Sequence, residues 1–221
     1  HEDRITTVER FLILGAGGHG KVVADLVRAC DAEVVGFADM DEQLLGKVAE
    51  PGGAEVIVSQ QAFFERLDSD NVPPGSANAV AVAIGNNNIR ADFVARIGER
   101  YCRPLIHPSA EVSPSATIGP GTVVFPHAVV NADATVEDAS IINTGAVVEH
   151  DCHLGRGVHV SPNATLSGKV TVGERSWLGA GSVVIPEVAI GDDVIVGAGA
   201  VVIRDVASGL TVVGNPARPI Q

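Results

Sequence analysis

The chain has 221 residues and a formal net charge of −12, with 27 acidic against 15 basic side chains. That length suits one large or two modest domains, and with no basic stripe the charge argues against nucleic acid or an anionic membrane surface as partner. No run of eighteen apolar residues suits a membrane span, and Cys30, Cys102 and Cys152, without a CxxC pair, suit a reducing compartment. The opening His1-Glu2-Asp3-Arg4 does not read as a signal peptide, so the expected location is the cytoplasm.

In chain order, Phe11-Leu12-Ile13-Leu14 reads as a short buried strand, and Val22, Val23, Leu26 and Val27 then give a helical stripe. Glu33 to Asp39 reads as a second strand, Gln61 to Leu67 as a second helix, Ala79 to Ile84 as a third strand and Ile89 to Tyr101 as a third helix. This alternation implies a small, Rossmann-like α/β unit, a parallel sheet with helices on its faces. Near Arg103-Pro104 the periodicity changes, which divides the chain into residues 1–104 and 105–221.

Between the first strand and helix lies Gly15-Ala16-Gly17-Gly18-His19-Gly20-Lys21, in which Gly15, Gly17 and Gly20 match GxGxxG and Asp39 follows about twenty residues on. A full dinucleotide fold needs two βαβαβ halves, and roughly a hundred residues supply one. What the loop offers is backbone N–H groups and a helix N-terminus for a phosphate or diphosphate, or else a tight turn with no ligand. His19 is a phosphate contact or a plain loop residue. Asp39 and Asp41 are acceptors for a base or ribose, or a solvated loop. Asn86 and Arg90 follow the third strand at the same sheet edge, where open α/β sheets bind ligands.

From Ile106 to Val202 every sixth residue is aliphatic, and two positions earlier stands a small or β-branched residue such as Ala110, Ala128, Ser140 or Cys152. A period of six fits neither a helix nor a simple strand, but it fits a chain that turns a corner every six residues and closes a triangular coil every eighteen. The expected fold of residues 105–221 is therefore an all-β hexapeptide parallel β-helix of five to six coils. With strands roughly 4.8 Å apart, it would stand about 25 Å tall. Gly119, Gly155, Gly173, Gly191 and Gly197 follow the aliphatic position, where a tight corner would favour glycine.

Residues that break the hexad pattern are the informative ones. With Val148 and Cys152 inward, His150 and Asp151 stand outward near a corner, and Cys152 is core filler. Gly168 lies eighteen residues after His150, which puts bare backbone one strand from that imidazole. A base beside a carboxylate that fixes its tautomer, with an amide N–H in reach, suits acyl transfer. The alternative is a solvated corner histidine. His159 precedes Val160, with Trp177 one coil above it, whereas His127 and His153 read as surface or subunit-contact residues. Some β-helix trimers bind zinc through three histidines, and the carbonic-anhydrase version places two of them thirty-six residues apart. Pro114, Thr117 and Val123 occupy the positions thirty-six before His150, His153 and His159, so no metal is expected.

Five segments together resemble the hexapeptide-repeat acetyltransferases that modify nucleotide-linked amino sugars, a group that includes the sialic acid O-acetyltransferase-like proteins. They are Gly15-Ala16-Gly17-Gly18-His19-Gly20, Ala83-Ile84-Gly85-Asn86-Asn87, Glu149-His150-Asp151-Cys152, Val158-His159-Val160-Ser161 and Val213-Gly214-Asn215-Pro216-Ala217. The resemblance implies a left-handed β-helix, a homotrimer with acetyl-CoA between neighbouring β-helices, and an N-terminal domain that holds the nucleotide of the sugar. It makes His150 the general base, Asp151 its orienting partner and the Gly168 N–H the oxyanion donor. His159, Gly179, Ala180, Gly197, Ala198 and Gly214-Asn215-Pro216 would border acetyl-CoA. Gly15, Gly17, Gly18, His19, Gly20, Asp39, Asp41, Asn86 and Arg90 would serve the nucleotide sugar. The implied reaction is acetyl transfer to the 4-amino group of GDP-perosamine or of a UDP- or dTDP-linked 4-amino sugar. The alternatives are a sugar O-acetyltransferase of the sialic-acid type and a non-catalytic nucleotide-binding scaffold.

Overall fold

The computed structural model describes residues 8–70 and 73–220, so the opening four residues read above lie outside the described residues. The chain forms two compact units, one running to Ile84 and including Arg100–Cys102, the other made of Gly85–Glu99 and the chain from Arg103 onward.

In the first unit, β1 (Arg10–Leu14), β2 (Glu33–Asp39), β3 (Val56–Ser59) and β4 (Ala79–Val82) form a parallel sheet in the order β3-β2-β1-β4. Helix α1 (Gly18–Ala29) follows β1, and α2 (Gln60–Asp70) follows β3. Phe11, Leu12, Ile13, Leu14, Phe37 and Phe63 are fully buried and make the core. The β3 strand departs from the sequence reading, which passes from β2 directly to α2. Only four residues long, with Ile57 exposed, it lacks the length and full burial that reveal a strand by pattern.

In the second unit, α3 (Asn87–Ile97) stops at Gly98, whose φ of +80° ends the helix before the expected Tyr101. The rest is a left-handed parallel β-helix. Among the described residues, seventeen two-residue strands, from Leu105–Ile106 to Val201–Val202, stack into three parallel sheets. Partners lie eighteen residues apart, as in the column Val129, Val147, Thr165, Val183 and Val201. The aliphatic and small positions fill the shaft, Val124, Val148, Leu166 and Leu178 being wholly buried. A further strand, Thr211–Val213, continues the face of Ile195–Val196 and pairs antiparallel with the strand Arg218–Ile220.

The expected reason for the glycines is corrected by the backbone. The left-handed residue of each corner stands three positions after the aliphatic one, at every sixth residue from Gly121 to Gly199, with φ between +53° and +72°. Asp, Asn, Ala, Lys, Arg, Glu and His occupy it as well as glycine, so the ladder of the β-helix offsets their strain. The glycines directly after the aliphatic residue answer to contact instead. A Cβ on Gly119 would lie 2.6 Å from Asp138 N, and one on Gly173 would lie 2.5 Å from Asp192 N. They let the next coil pass.

Candidate functional site

The corner at His150 follows the strand Val147–Val148. The chain is held there by Lys169 N–H donating to His150 O at 2.9 Å and by Asp151 N–H donating to Ala132 O at 3.0 Å. Asp151 takes the left-handed corner position with φ +58°, and its carboxylate turns back on its neighbour: His150 Nδ1 and Asp151 Oδ2 are 2.7 Å apart. A carboxylate oxygen accepts, so Nδ1 is the donor of this pair, and the neutral imidazole held in that tautomer has its lone pair on Nε2. Both side chains are about half exposed, at 55% and 49%. Nε2 faces Gly168 of the next coil, where a Cβ would stand 2.6 Å away. Thus His150, Asp151 and Gly168 are brought together.

A second group of candidates lies on another face. His159 pairs in register with Trp177, and the two rings stack at 5.8 Å with planes 5° apart. Asn143 Nδ2 is 3.2 Å from His159 Nε2, and Trp177 Nε1–H donates to Ser161 Oγ at 2.7 Å. Above them opens an apolar groove of about 440 Å³, lined by His159, Pro162, Trp177, Gly179, Ala180, Ile195, Gly197 and Ala198 among others. A Cβ on Gly179 would meet Ala198 N at 2.6 Å, so its floor stays flat. Gly214, Asn215 and Pro216 form the turn after Thr211–Val213; Val213 packs on Gly197, but the turn itself is not part of the groove wall. The sheet face containing Val147–Val148, Thr165–Leu166 and Val183–Val184 separates the His150 corner from this groove within one chain. Asn143 and Pro162 are missing from the sequence reading, and Ser161 enters it only within a matching segment, yet eighteen-residue steps run Asn143, Ser161, Gly179, Gly197 and Pro162, Ala180, Ala198, which is the signal that locates them.

In the first unit the glycine loop is built for close approach. Gly15 has φ +109° and a Cβ there would sit 2.7 Å from Ala83 O, while a Cβ on Gly20 would collide with Gly15 O. Gly17 caps α1 without a side-chain hydrogen bond, and space opens beside Gly17 and Gly18. A helix start is where backbone N–H groups can meet an anion. His19 is half-buried in the first turn. Asp39 serves the loops: Oδ2 accepts from Ala16 N–H at 2.7 Å and Oδ1 from Asp41 N–H at 2.9 Å. Asp41 accepts from Gln43 N–H at 3.0 Å.

Arg90 calls for a correction. Expected at the substrate, it is wholly buried against the β-helix. Its Nε–H donates to Ala139 O at 2.6 Å, and Nη2–H groups donate to Gly157 O and Asn87 Oδ1, each at 2.8 Å. Burial lowers its pKa to about 10. The planar fork matches carbonyls of two successive coils, which a sequence cannot reveal because the nearer of those corners is 49 residues from α3's arginine. Asn86 caps α3, accepting from Ile89 N–H at 3.1 Å, and is exposed.

Cys152 is buried with its Sγ–H on Ser167 O at 3.1 Å, and burial raises its thiol pKa. His153 lies 3.2 Å from Glu137 on the surface, and His127 is exposed. Among the described residues no group of three or more His, Cys, Asp or Glu is placed to hold a metal, and no helix is long and apolar enough to cross a membrane.

Residues 10–97 match the PglD N-terminal domain, and residues 169–204 match the bacterial transferase hexapeptide (six repeats). A curated relative, UDP-N-acetylbacillosamine N-acetyltransferase of Bacillus subtilis (strain 168), is 42% identical over 121 residues. That alignment takes in 52% of this chain and 51% of the relative, so about half of the curated protein is matched. A mutant of perosamine N-acetyltransferase from Caulobacter crescentus, solved in complex with CoA and GDP-perosamine, is 38% identical with a TM-score of 0.86, over 97% of this chain and 98% of that one. The acetyltransferase domain of PglB from Neisseria gonorrhoeae FA1090, in complex with acetyl coenzyme A, is 40% identical with a TM-score of 0.83, over 97% and 100%. With likeness of that degree along nearly its whole length, the chain belongs to the hexapeptide-repeat nucleotide-sugar acetyltransferases.

Proposed function

We propose that the protein transfers the acetyl group of acetyl-CoA to the 4-amino group of a nucleotide-linked amino sugar, by direct attack within a ternary complex. The observation that carries this reading is the His150 corner. Asp151 holds Nδ1, which leaves Nε2 as the basic atom beside the backbone of Gly168. The amine nitrogen attacks the thioester carbonyl, and its proton passes to His150 Nε2. The Gly168 N–H donates to the oxygen as negative charge develops there. The C–S bond then breaks, and CoA leaves as thiolate or takes the proton from His150. Base assistance is typically worth 10²–10⁴-fold and one oxyanion donor about 10²–10³-fold.

The groove beside His159 and Trp177 suits the thin arm of acetyl-CoA, whose methylene and methyl groups can lie on apolar walls, with Gly179, Ala180, Gly197 and Ala198 as its floor, and Gly214-Asn215-Pro216 follows Val213, which packs on Gly197. Because that groove and His150 occupy different parts of one β-helix, we read the working form as a homotrimer in which one copy's groove meets a neighbour's His150 corner. The nucleotide belongs to the first unit, with its phosphates at Gly15, Gly17, Gly18, His19 and Gly20 and the base or ribose near Asp39 and Asp41, in a cytoplasmic enzyme.

GDP-perosamine is the first acceptor to try, since the relative solved with it matches this chain almost end to end. UDP- and dTDP-linked 4-amino sugars come next. Thiol release from acetyl-CoA across such a panel, with free sugars and sialic acid as further members, tests the reading. Release with a nucleotide-linked amino sugar supports it. Release only with a hydroxyl acceptor, or with none, defeats it.

A further inference from the structure

The apolar groove has a stepped floor. One residue per coil, the column beside His159 and Trp177 runs Gly197, Gly179, Ser161, Asn143 and Phe125 from top to bottom. The upper two steps are bare backbone. A Cβ on Gly197 would stand 2.7 Å from Val213 and one on Gly179 would stand 2.6 Å from Ala198 N. Ser161 adds a hydroxyl, which accepts the Trp177 Nε1–H. Asn143 adds a carboxamide, and there the opening ends: His159, Ser161 and Pro162 wall the groove, but no residue of the coil below does. That carboxamide is held at both ends. Its Oδ1 accepts from Thr144 N–H at 2.8 Å, and its Nδ2 lies 3.2 Å from His159 Nε2. Asn143 is half-buried, with buried Phe125 in the row beneath it.

Height along the shaft rises with residue number, by roughly 4.8 Å for each coil of eighteen residues. His150 therefore stands higher than Asn143 and lower than Ser161. The His150 corner and the groove both run along the shaft, so a ring of three copies that joins them has its axis along the shaft too. Such an axis carries a residue sideways without raising it. A neighbour's His150 thus meets this column between Asn143 and Ser161, and the thioester carbonyl belongs at that height. From there the groove opens only upward, toward Gly197, so the long arm of the cofactor runs that way. The acyl group, on the other side of the carbonyl, points down at Asn143. Less than about 4.8 Å is left above that row, which holds a methyl group in contact but no further carbon.

We propose that Asn143 sets the length of the acyl group: its carboxamide closes the lower end of the groove and admits two carbons but not three. This rests on the acetyl-transfer reading above and on its trimer, and it names the acyl donor that the site selects.

The test compares acetyl-, propionyl- and butyryl-CoA on the full-length protein and on its Asn143→Ala and Asn143→Leu variants. The first variant removes the bulk; the second keeps it and removes the carboxamide. Thiol release is measured with GDP-perosamine and the other nucleotide-linked amino sugars of the panel above. Binding of each thioester is followed by the emission of Trp177, the single tryptophan of the chain, which walls the groove. A fitted site separates groups one methylene apart by about 10- to 200-fold. The unaltered protein and Asn143→Leu should therefore favour acetyl over propionyl by about tenfold or more, in kcat/KM and in affinity. Asn143→Ala should bring the two within about threefold. Loss of the contact with His159 alone would slow all three donors alike and leave that ratio where it was. Asn143→Ser, also short, supplies the same ratio should Asn143→Ala fail to fold. An unchanged ratio in the shortened variant, or an equally relaxed one in Asn143→Leu, would overturn the assignment. Use of butyryl-CoA by the unaltered protein as readily as acetyl-CoA would overturn it too, while keeping the transfer reading. Binding ratios that move as stated without any turnover keep the length limit and remove the transfer reading.

Discussion

Nε2 of His150 lies so close to Gly168, one coil above, that a single methyl group there would stand 2.6 Å from it. The imidazole keeps its place because position 168 has no side chain. Gly168→Ala should therefore turn the ring without unfolding the β-helix. Since a misplacement of about 1 Å can cost roughly 10²-fold, kcat should fall by one to two decades while the KM for acetyl-CoA stays within about threefold. Steady-state kinetics of the purified variant decide it. An unchanged kcat would mean that the ring has no catalytic duty.

Gly17 separates ligand binding from folding in the first unit. Its backbone is extended and nothing lies within 4 Å of a Cβ placed on it, so a side chain there projects into open space beside the start of α1. Gly17→Val should leave Tm within a few degrees but raise the KM for the nucleotide sugar about tenfold or more by covering the helix amides. Acetyl-CoA affinity should be unaffected. An unaltered sugar KM would take the phosphates away from this loop.

Acid stability should depend on Glu50. Its carboxylate is held by Arg28, with Oε1 2.7 Å from Nη2, and by the N–H groups of Gly52 and Ala54. The Arg28 hydrogen bonds above all lower its pKa from 4.5 to about 2. A carboxyl with a depressed folded-state pKa gives stability that is complete above the unfolded value and is lost as pH falls through the folded one. Glu50→Gln should lower stability near neutral pH and flatten its decline between pH 4.5 and 2. Parallel acid titrations of unfolding would show equal slopes if the pair were unimportant.

Inside the β-helix, Ser182 occupies a column otherwise filled by Ala128, Ala146, Ala164 and Ala200, and its buried Oγ has no hydrogen-bond partner among the described residues. Leaving a buried hydroxyl unpaired costs about 1–3 kcal/mol. Ser182→Ala should therefore raise Tm by a few degrees or leave it unchanged. A clear fall in Tm in calorimetry would show that the hydroxyl is satisfied.

Regular features proved the most legible from sequence. Six-residue spacing located the shaft positions from Ile106 to Val202, and counting by eighteen brought Gly168 to His150 and Trp177 to His159, because stacked coils convert sequence distance directly into neighbourhood. Non-periodic features escaped. Glycines after the aliphatic residue looked like corner formers, but they answer to the backbone of the next coil, a contact no local pattern carries. Arg90 looked like a ligand contact because polar residues after a sheet strand often are, yet its partners are carbonyls 49 and 67 residues away.

In the proposed reaction His150 removes the amine proton. The most direct check is His150→Asn, with kcat measured on the best nucleotide-linked amino sugar and acetyl-CoA binding followed by Trp177 emission. The kcat should fall by about two decades or more, as loss of a general base implies, with acetyl-CoA bound as tightly as before. A variant that turns over at near-normal rate would contradict it.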